Sequence, residues 1–380
     1  MPDVSAADHW LTGLQLLLLA GVLSLLPLSV WVWRTRTAPP STRLRALTAL
    51  TLFLTFDLII FGAFTRLSDS GLGCPDWPGC YAEATPWAAH EEIHAAQSAQ
   101  PTGPVTYSKA WIEMIHRYLA MTVGALILLS CALSWRWRAQ VPQGWKWPLA
   151  TLVWVLVQGL FGKYTVTLKL YPAIVTLHLM GGITLLALLV VQHERYLAKP
   201  VAVTAALRRG LWLVLGLLVV QVALGGWVST NYAVLACRGF PTCNGQWWPG
   251  MDAGHGFTIL RELGRAGSGE YLPANALVAI HMAHRLMAVV VLAALLSLAL
   301  ACWRSGGAMK RTAVWLLGLS TLQLATGLGN VVLHWPLIGA LLHTGGAAAL
   351  VAVLVAALQR TALPKSSISP ASAFQSVRTA

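Results

Sequence analysis

Charge is what this sequence has least of. Asp, Glu, Lys and Arg make up 10% of its 380 residues and apolar types 57%, where a soluble domain carries roughly 25% charged residues. That excludes a soluble globular protein and makes the chain an integral membrane protein. Acids are the scarcer sign, 13 against 26 Lys and Arg. The net charge of +13 would suit a nucleic-acid binder, but the basic residues are not gathered into a patch. They sit in short links between apolar runs, as the positive-inside rule predicts, so the expected surroundings are a lipid bilayer and no nucleic acid. Basic residues are also missing ahead of the first apolar run, which follows Asp3 and Asp8 and precedes Arg34 and Arg36. That reverses the order of a signal peptide, and the run reads as a retained helix with its N-terminus outside. The acidic start also speaks against a mitochondrial transit peptide and points to a bacterial inner membrane.

Apolar runs of spanning length fall near 11–33, 46–65, 114–135, 147–168, 173–192, 211–230, 276–302, 312–333 and 337–358. This predicts an all-α membrane protein with nine spans. The links holding Arg34, Arg36, Arg43 and Arg45, then Arg136, Arg138 and Lys146, then Arg195, Lys199, Arg208 and Arg209, then Arg304, Lys310 and Arg311 all alternate to one side, as does the tail with Arg360 and Lys365. That side, with the C-terminus, is expected in the cytoplasm. The opposite side receives two long loops, about 66–112 and 231–275, with most of the acids and two cysteine pairs. Many of the 18 tryptophans stand near span ends, Trp135, Trp147, Trp227 and Trp335 among them, as interfacial belts do.

Set against itself at a shift of about 165 residues, the chain repeats. IIFGAFTRLSDSGLGC (59–74) faces VALGGWVSTNYAVLAC (222–237), EMIHR faces HMAHR, QGLFGKYTVTLKLYP (158–172) faces QLATGLGNVVLHWP (323–336), and VTLHLMGGITLLAL (175–188) faces ALLHTGGAAALVAV (340–353). Each unit holds four spans, an even number, so both insert the same way round and form parallel repeats. The expected organisation is an extra N-terminal helix and link (1–45), a first four-helix bundle (46–200), a second (201–360) and a disordered Ser/Pro-rich tail (361–380).

The alignment pairs His116 with His284 and His178 with His343. All four lie early in helices that enter from outside, on the first and third spans of each unit. A lone membrane histidine is often only a hydrogen-bonded core residue. Four at repeat-equivalent positions point to cofactor ligation between facing helices, and axial histidine is a common haem ligand. Zinc would want closed tetrahedral ligation, which two histidines per half without an acid cluster do not supply. Two haem sites, one per half, are expected.

Glu113 breaks the symmetry. It lies three residues before His116, about 4.5 Å along the helix and on the same face, so it can overhang whatever His116 binds and serve proton transfer. Its counterpart is His281, so the second half lacks the acid: one half looks catalytic and the other an electron relay. His281 shares a face with His284, and either could be the ligand, with the alignment favouring His284. Arg66, Arg117, Lys163 and Arg285 lie near outer span ends, where they either snorkel or pair with haem propionates.

Cys74 with Cys80 and Cys237 with Cys243 lie in the outer loops, where disulfides persist, either stapling the loop or serving a redox role. Cys131 and Cys302 read as packing residues. HEEIH (90–94) matches a zinc-protease pattern but sits in an Ala/Gln-rich loop with no evident third ligand, and reads as a solvated helical turn.

The segments GAFTRLSDSGLGCPDWPGC, EMIHRYLA, GKYTVTLKL, LGGWVSTN and LQLATGLGNVVL closely resemble the haem A synthase family over roughly residues 46 to 358. The first helix departs from that family's eight-helix core. The resemblance implies oxidation of the C8 methyl of haem O to a formyl group by successive hydroxylations, making haem A for terminal oxidases. It implies haem b as cofactor on His284 and His343, haem O as substrate between His116 and His178, and Glu113 as the essential acid. Candidate partners are haem O synthase, an electron donor of quinol or ferredoxin type, and a second copy of the chain. Three other classes compete: a membrane cytochrome b that only carries electrons to or from quinone, a thiol-oxidising membrane protein, and a transporter. The first explains four histidines but not Glu113.

Overall fold

The computed structural model describes residues 6–141, 143–197 and 200–362. Its helices in chain order are α1 (Ala6–Thr35), α2 (Pro40–Leu67), α3 (His90–Ala99), α4 (Tyr107–Arg136), α5 (Lys146–Thr167), α6 (Pro172–Arg195), α7 (Ala205–Thr230), α8 (Ala253–Gly256), α9 (Ala274–Ser305), α10 (Gly307–Val332) and α11 (Leu337–Gln359). Among the described residues nine helices, all but the short α3 and α8, are long and apolar enough to cross a membrane. The chain is an all-α membrane protein, as its apolar runs predict.

Local chemistry sets where these helices begin. Pro40 and Pro172 stand in the first turns of α2 and α6, where a missing N–H costs nothing. Thr106 and Thr204 cap α4 and α7 by accepting from the backbone N–H groups of Lys109 and Leu207, satisfying donors that a helix start leaves free. Between α9 and α10 the chain reverses through Gly306 and Gly307, whose φ values of 73° and 49° suit glycine best.

In the first group of four spans α2 packs on α4 and α6, and α5 on α6; in the second α7 packs on α9 and α11, and α10 on α11. The groups meet where α6 lies against α11 and α7, and α2 against α11. Two features recur in the connections. Lys169 and Leu170 between α5 and α6, and His334 and Trp335 between α10 and α11, are consecutive left-handed residues. Each long loop closes a small antiparallel bridge, Cys80 to Glu83 and Cys243 to Gln246. The first helix leans on α4 and α2, where the Trp31 indole N–H donates to the Arg43 carbonyl at 2.9 Å.

The main core, including Leu186, Leu211, Leu298, Leu316, Val351 and Leu354, closes the bundle toward the side of the short links. There Arg360 grips Glu194 through two 2.6 Å hydrogen bonds, and Val201–Ala202 pairs in parallel with Thr361–Ala362. The expected disordered tail was drawn from 361, yet Thr361 and Ala362 are paired; the remainder, 363–380, lies outside the described residues. Packed tightly at that end, the helices enclose a large cavity toward the long loops.

Candidate functional site

His116, His178, His284 and His343 all line one cavity of about 1800 Å³, together with Glu113, His281, Arg66, Arg117, Lys163 and Arg285. Every predicted site residue outside the cysteine pairs is therefore brought to a single space. Each of the four histidines faces a glycine on a neighbouring helix. A Cβ at Gly62 of α2 would stand 3.0 Å from His116, and at Gly225 of α7 3.1 Å from His284. The matching distances are 3.5 Å from Gly162 of α5 to His178 and 3.3 Å from Gly327 of α10 to His343. These glycines let each imidazole approach the neighbouring helix closely, where a larger residue would crowd it. The histidines alone did not announce them, although the self-alignment already sets Gly62 on Gly225 and Gly162 on Gly327.

The imidazoles differ in what holds them. Gln221 Nε2 lies 3.2 Å from His284 Nδ1, and Thr326 Oγ1 lies 3.0 Å from His343 Nδ1. His178 Nδ1 is buried with no partner among the described residues. The His116 ring stacks on Phe61 at 6.4 Å and 11°. His284 and His343 present their rings to each other with centroids 6.5 Å apart. An iron bound at roughly 2 Å from one nitrogen of each of two imidazoles would hold the ring centroids roughly 6 Å apart. The second pair therefore fits a bis-histidine haem in spacing and donor type. The glycines and the free nitrogen of His178 fit the first pair to the same kind of group.

Glu113 is buried, and both its oxygens are engaged: Oε1 lies 2.5 Å from Arg117 Nη2, and Oε2 accepts from the Cys74 N–H at 2.8 Å. Arg117 donates in addition to the carbonyls of Asp76 and Pro78, at 3.0 and 3.1 Å, and to that of Gly79. The pair thus stitches α4 to the Cys74–Cys80 loop. Arg285 does likewise for the second loop, donating to Cys237 O at 2.8 Å and Thr242 O at 3.2 Å. These two arginines hold loop backbone while still lining the cavity. Arg66 donates to Ser229 O and lies over the Tyr232 ring at 3.8 Å, and Lys163 Nζ stands 5.7 Å from the Trp77 ring. His281, in Glu113's place, donates from Nδ1 to Ala233 O at 2.9 Å.

Both outer cysteine pairs, Cys74–Cys80 and Cys237–Cys243, have their sulfurs at bonding distance, and Cys131 and Cys302 are free. The HEEIH segment forms the start of α3, its His90 ring edge-on to Tyr107, and Ile93 is buried beside Cys74 and Cys80. It serves as a lid over the first loop, away from the cavity wall. The extra helix α1 does reach that wall, through Gly13, Leu17 and Gly21.

Comparison with known proteins gives a consistent picture. The model of a family described as cytochrome oxidase assembly protein (COX15-CtaA) matches residues 45–355. A protein of Shewanella oneidensis named heme A synthase is 39% identical over 312 residues, 80% of this chain and 93% of its own length. Proteins of the same name from Caulobacter sp. strain K31 and Caulobacter vibrioides are 27% and 26% identical, covering 79% and 82% of this chain and 90% and 94% of their own.

Proposed function

We infer that this chain, which belongs to the cytochrome oxidase assembly protein family, makes haem A by oxidising the C8 methyl of haem O to a formyl group. The name shared by its relatives supports haem A synthesis over a cytochrome that only carries electrons. In this reading residues 46–200 form the catalytic half, with His116 and His178 holding the substrate haem. Residues 201–360 form the relay half, with His284 and His343 holding haem b. The segment 1–45 lies outside the two proposed bundles in sequence, and its helix α1 walls the substrate half.

The observation that carries the division is the exchange of Glu113 for His281. A haem iron, when bound, supplies the oxidising centre; the chain's own task is to hold the macrocycle and manage the proton. Glu113 is fixed at both oxygens, by Arg117 and by the Cys74 N–H, so its carboxylate keeps one orientation at the cavity wall. Held there, it can take the proton a methyl group loses on oxidation. His284, not His281, presents its ring to His343, with centroids 6.5 Å apart, which supports His284 as the ligand. Arg66 and Lys163, which line the cavity near the ends of α2 and α5, suit haem propionates. Arg117 and Arg285 can join them only while still holding their loops.

The proposed setting is the bacterial inner membrane, and the basic links on the side of Glu194 and Arg360 support an orientation with the N-terminus outside and the C-terminus cytoplasmic. Reducing equivalents would come from a quinol or ferredoxin-type donor, and haem O from its synthase. The test is haem analysis of the purified protein made in cells that supply haem O. The parent should yield haem A and haem b, and Glu113→Ala should yield haem b with unconverted haem O. Haem A made by Glu113→Ala would overturn the assignment.

A further inference from the structure

We propose that the first half of the cavity continues into an apolar slot between α4 and α5, and that this slot receives the isoprenoid chain of the substrate haem. The proposal rests on the haem O reading above: haem O carries a hydroxyethylfarnesyl chain that haem b lacks, so only the substrate half needs room for one.

The two halves differ as this demands. Beside His116 and His178 the cavity wall runs down α4 to Leu128 and down α5 through Leu156 and Val155 to Leu152. Leu152 lies ten residues before Gly162, roughly 15 Å of helix and about three isoprene units in length. The repeat-equivalent positions in the second half, Leu296, Leu317, Ser320 and Thr321, do not line the cavity. Glycines open the slot. A Cβ at Gly124 or Gly159 would meet nothing within 4 Å, and both line the cavity. Their counterparts are Leu292 and Leu324, which also line the cavity, so leucine side chains stand where the first half has only glycine; on α10 the lining stops at Gln323.

The slot also reaches the surface of the bundle. Leu128 and Leu156 line the cavity and are 57% and 64% exposed, so a chain lying between them can continue into lipid. Apart from Gln158, the residues of α4 and α5 that line the slot below Gly159 and Gly124 are apolar. Lipid tails are as apolar as leucine, so burial by itself does not draw an isoprenoid out of the bilayer. Selection comes from shape: a tailed haem fits the half with glycines and clashes with the half with leucines. The slot thus sorts the two haems between the two pairs of histidines.

The test installs the second half's residues in the first. Gly124→Leu/Gly159→Leu in the full-length protein is purified from cells making both haems, and its extracted haems are quantified. The purified protein is also titrated with haem O and with tail-less protohaem. The expected result is haem O retention lowered on the order of tenfold, with protohaem still taken up by the first half and haem b of the second half unchanged. A variant that keeps haem O like the parent overturns the slot. If the double variant also loses haem b, Leu156→Trp at the exposed rim carries the same test, with the same expected and overturning results. A parent protein that takes up no haem O overturns the haem O reading itself, whereas parent and variant binding it equally removes only the slot.

Discussion

Glu113 and His281 stand at the same turn of α4 and α9 and make hydrogen bonds of opposite sense to the loops above them. Glu113 Oε2 accepts from the Cys74 N–H at 2.8 Å, and His281 Nδ1 donates to the Ala233 carbonyl at 2.9 Å. An ionised carboxylate can only accept and an imidazole N–H can only donate, so each loop turns a matching backbone group toward its helix. One turn further on, His116 and His284 share a residue type and a glycine neighbour. The halves therefore agree at the proposed ligands and differ at the proposed catalytic position.

His281→Glu should consequently weaken the second half without making it an oxidation site. The new carboxylate would face the Ala233 carbonyl with no donor between them, an unsatisfied buried acceptor costing on the order of 1–3 kcal/mol. Thermal unfolding followed by haem absorbance measures it. A midpoint equal to the parent's would mean that the His281 bond does not hold the loop.

Arg117→Ala should cost more. It leaves Glu113 buried without its ion-pair partner and frees three loop carbonyls. Breaking a buried pair typically costs about 3–5 kcal/mol. Arg117→Lys should recover only part, because an ammonium cannot fork between carboxylate and carbonyls as a guanidinium does. The readouts are the unfolding midpoint and the rate at which a reductant opens Cys74–Cys80, which should rise in both variants.

The glycines beneath the histidines give a selective pair of variants. Gly62→Ala puts a methyl group 3.0 Å from His116 and Gly225→Ala one 3.1 Å from His284, whereas at Gly162 the contact would be an ordinary 3.5 Å. Gly62→Ala should reduce haem O retention alone and Gly225→Ala haem b alone, with Gly162→Ala near the parent. Haem extraction from the three proteins checks the pattern, and equal loss from all three would contradict it.

Much of this arrangement was legible in the chain. Spans show in a single sequence because lipid forbids charge over about twenty residues, and the four histidines stand out because they recur in pairs on the first and third spans of each unit. The contacts made by Arg117 and Arg285 were not legible: an arginine near a span end has the same signature whether it meets a propionate, a headgroup or a loop carbonyl. The Glu194–Arg360 clamp joins residues 166 apart, and only the packed bundle brings them together. The glycines were visible in the alignment, but their purpose appears only once the rings lie on them.

That clamp yields its own expectation. Arg360 is half-exposed and Glu194 buried, so Arg360→Ala should lower stability by about 1–3 kcal/mol and leave haem content unchanged, since the pair lies at the opposite end of the bundle from the cavity. Unfolding midpoint and haem stoichiometry measured together decide it. Loss of either haem from the folded variant would contradict the separation.

The most direct test of the two-half account is haem partition among four single variants. His116→Ala and His178→Ala should each retain haem b at the parent's level and hold neither haem O nor haem A. His284→Ala and His343→Ala should each lose haem b while still binding haem O. Extracted haems, identified by chromatography and mass and counted per chain, read this out. Haem b lost from His116→Ala or His178→Ala, or kept at the parent's level in His284→Ala and His343→Ala, would contradict the assignment of the two histidine pairs.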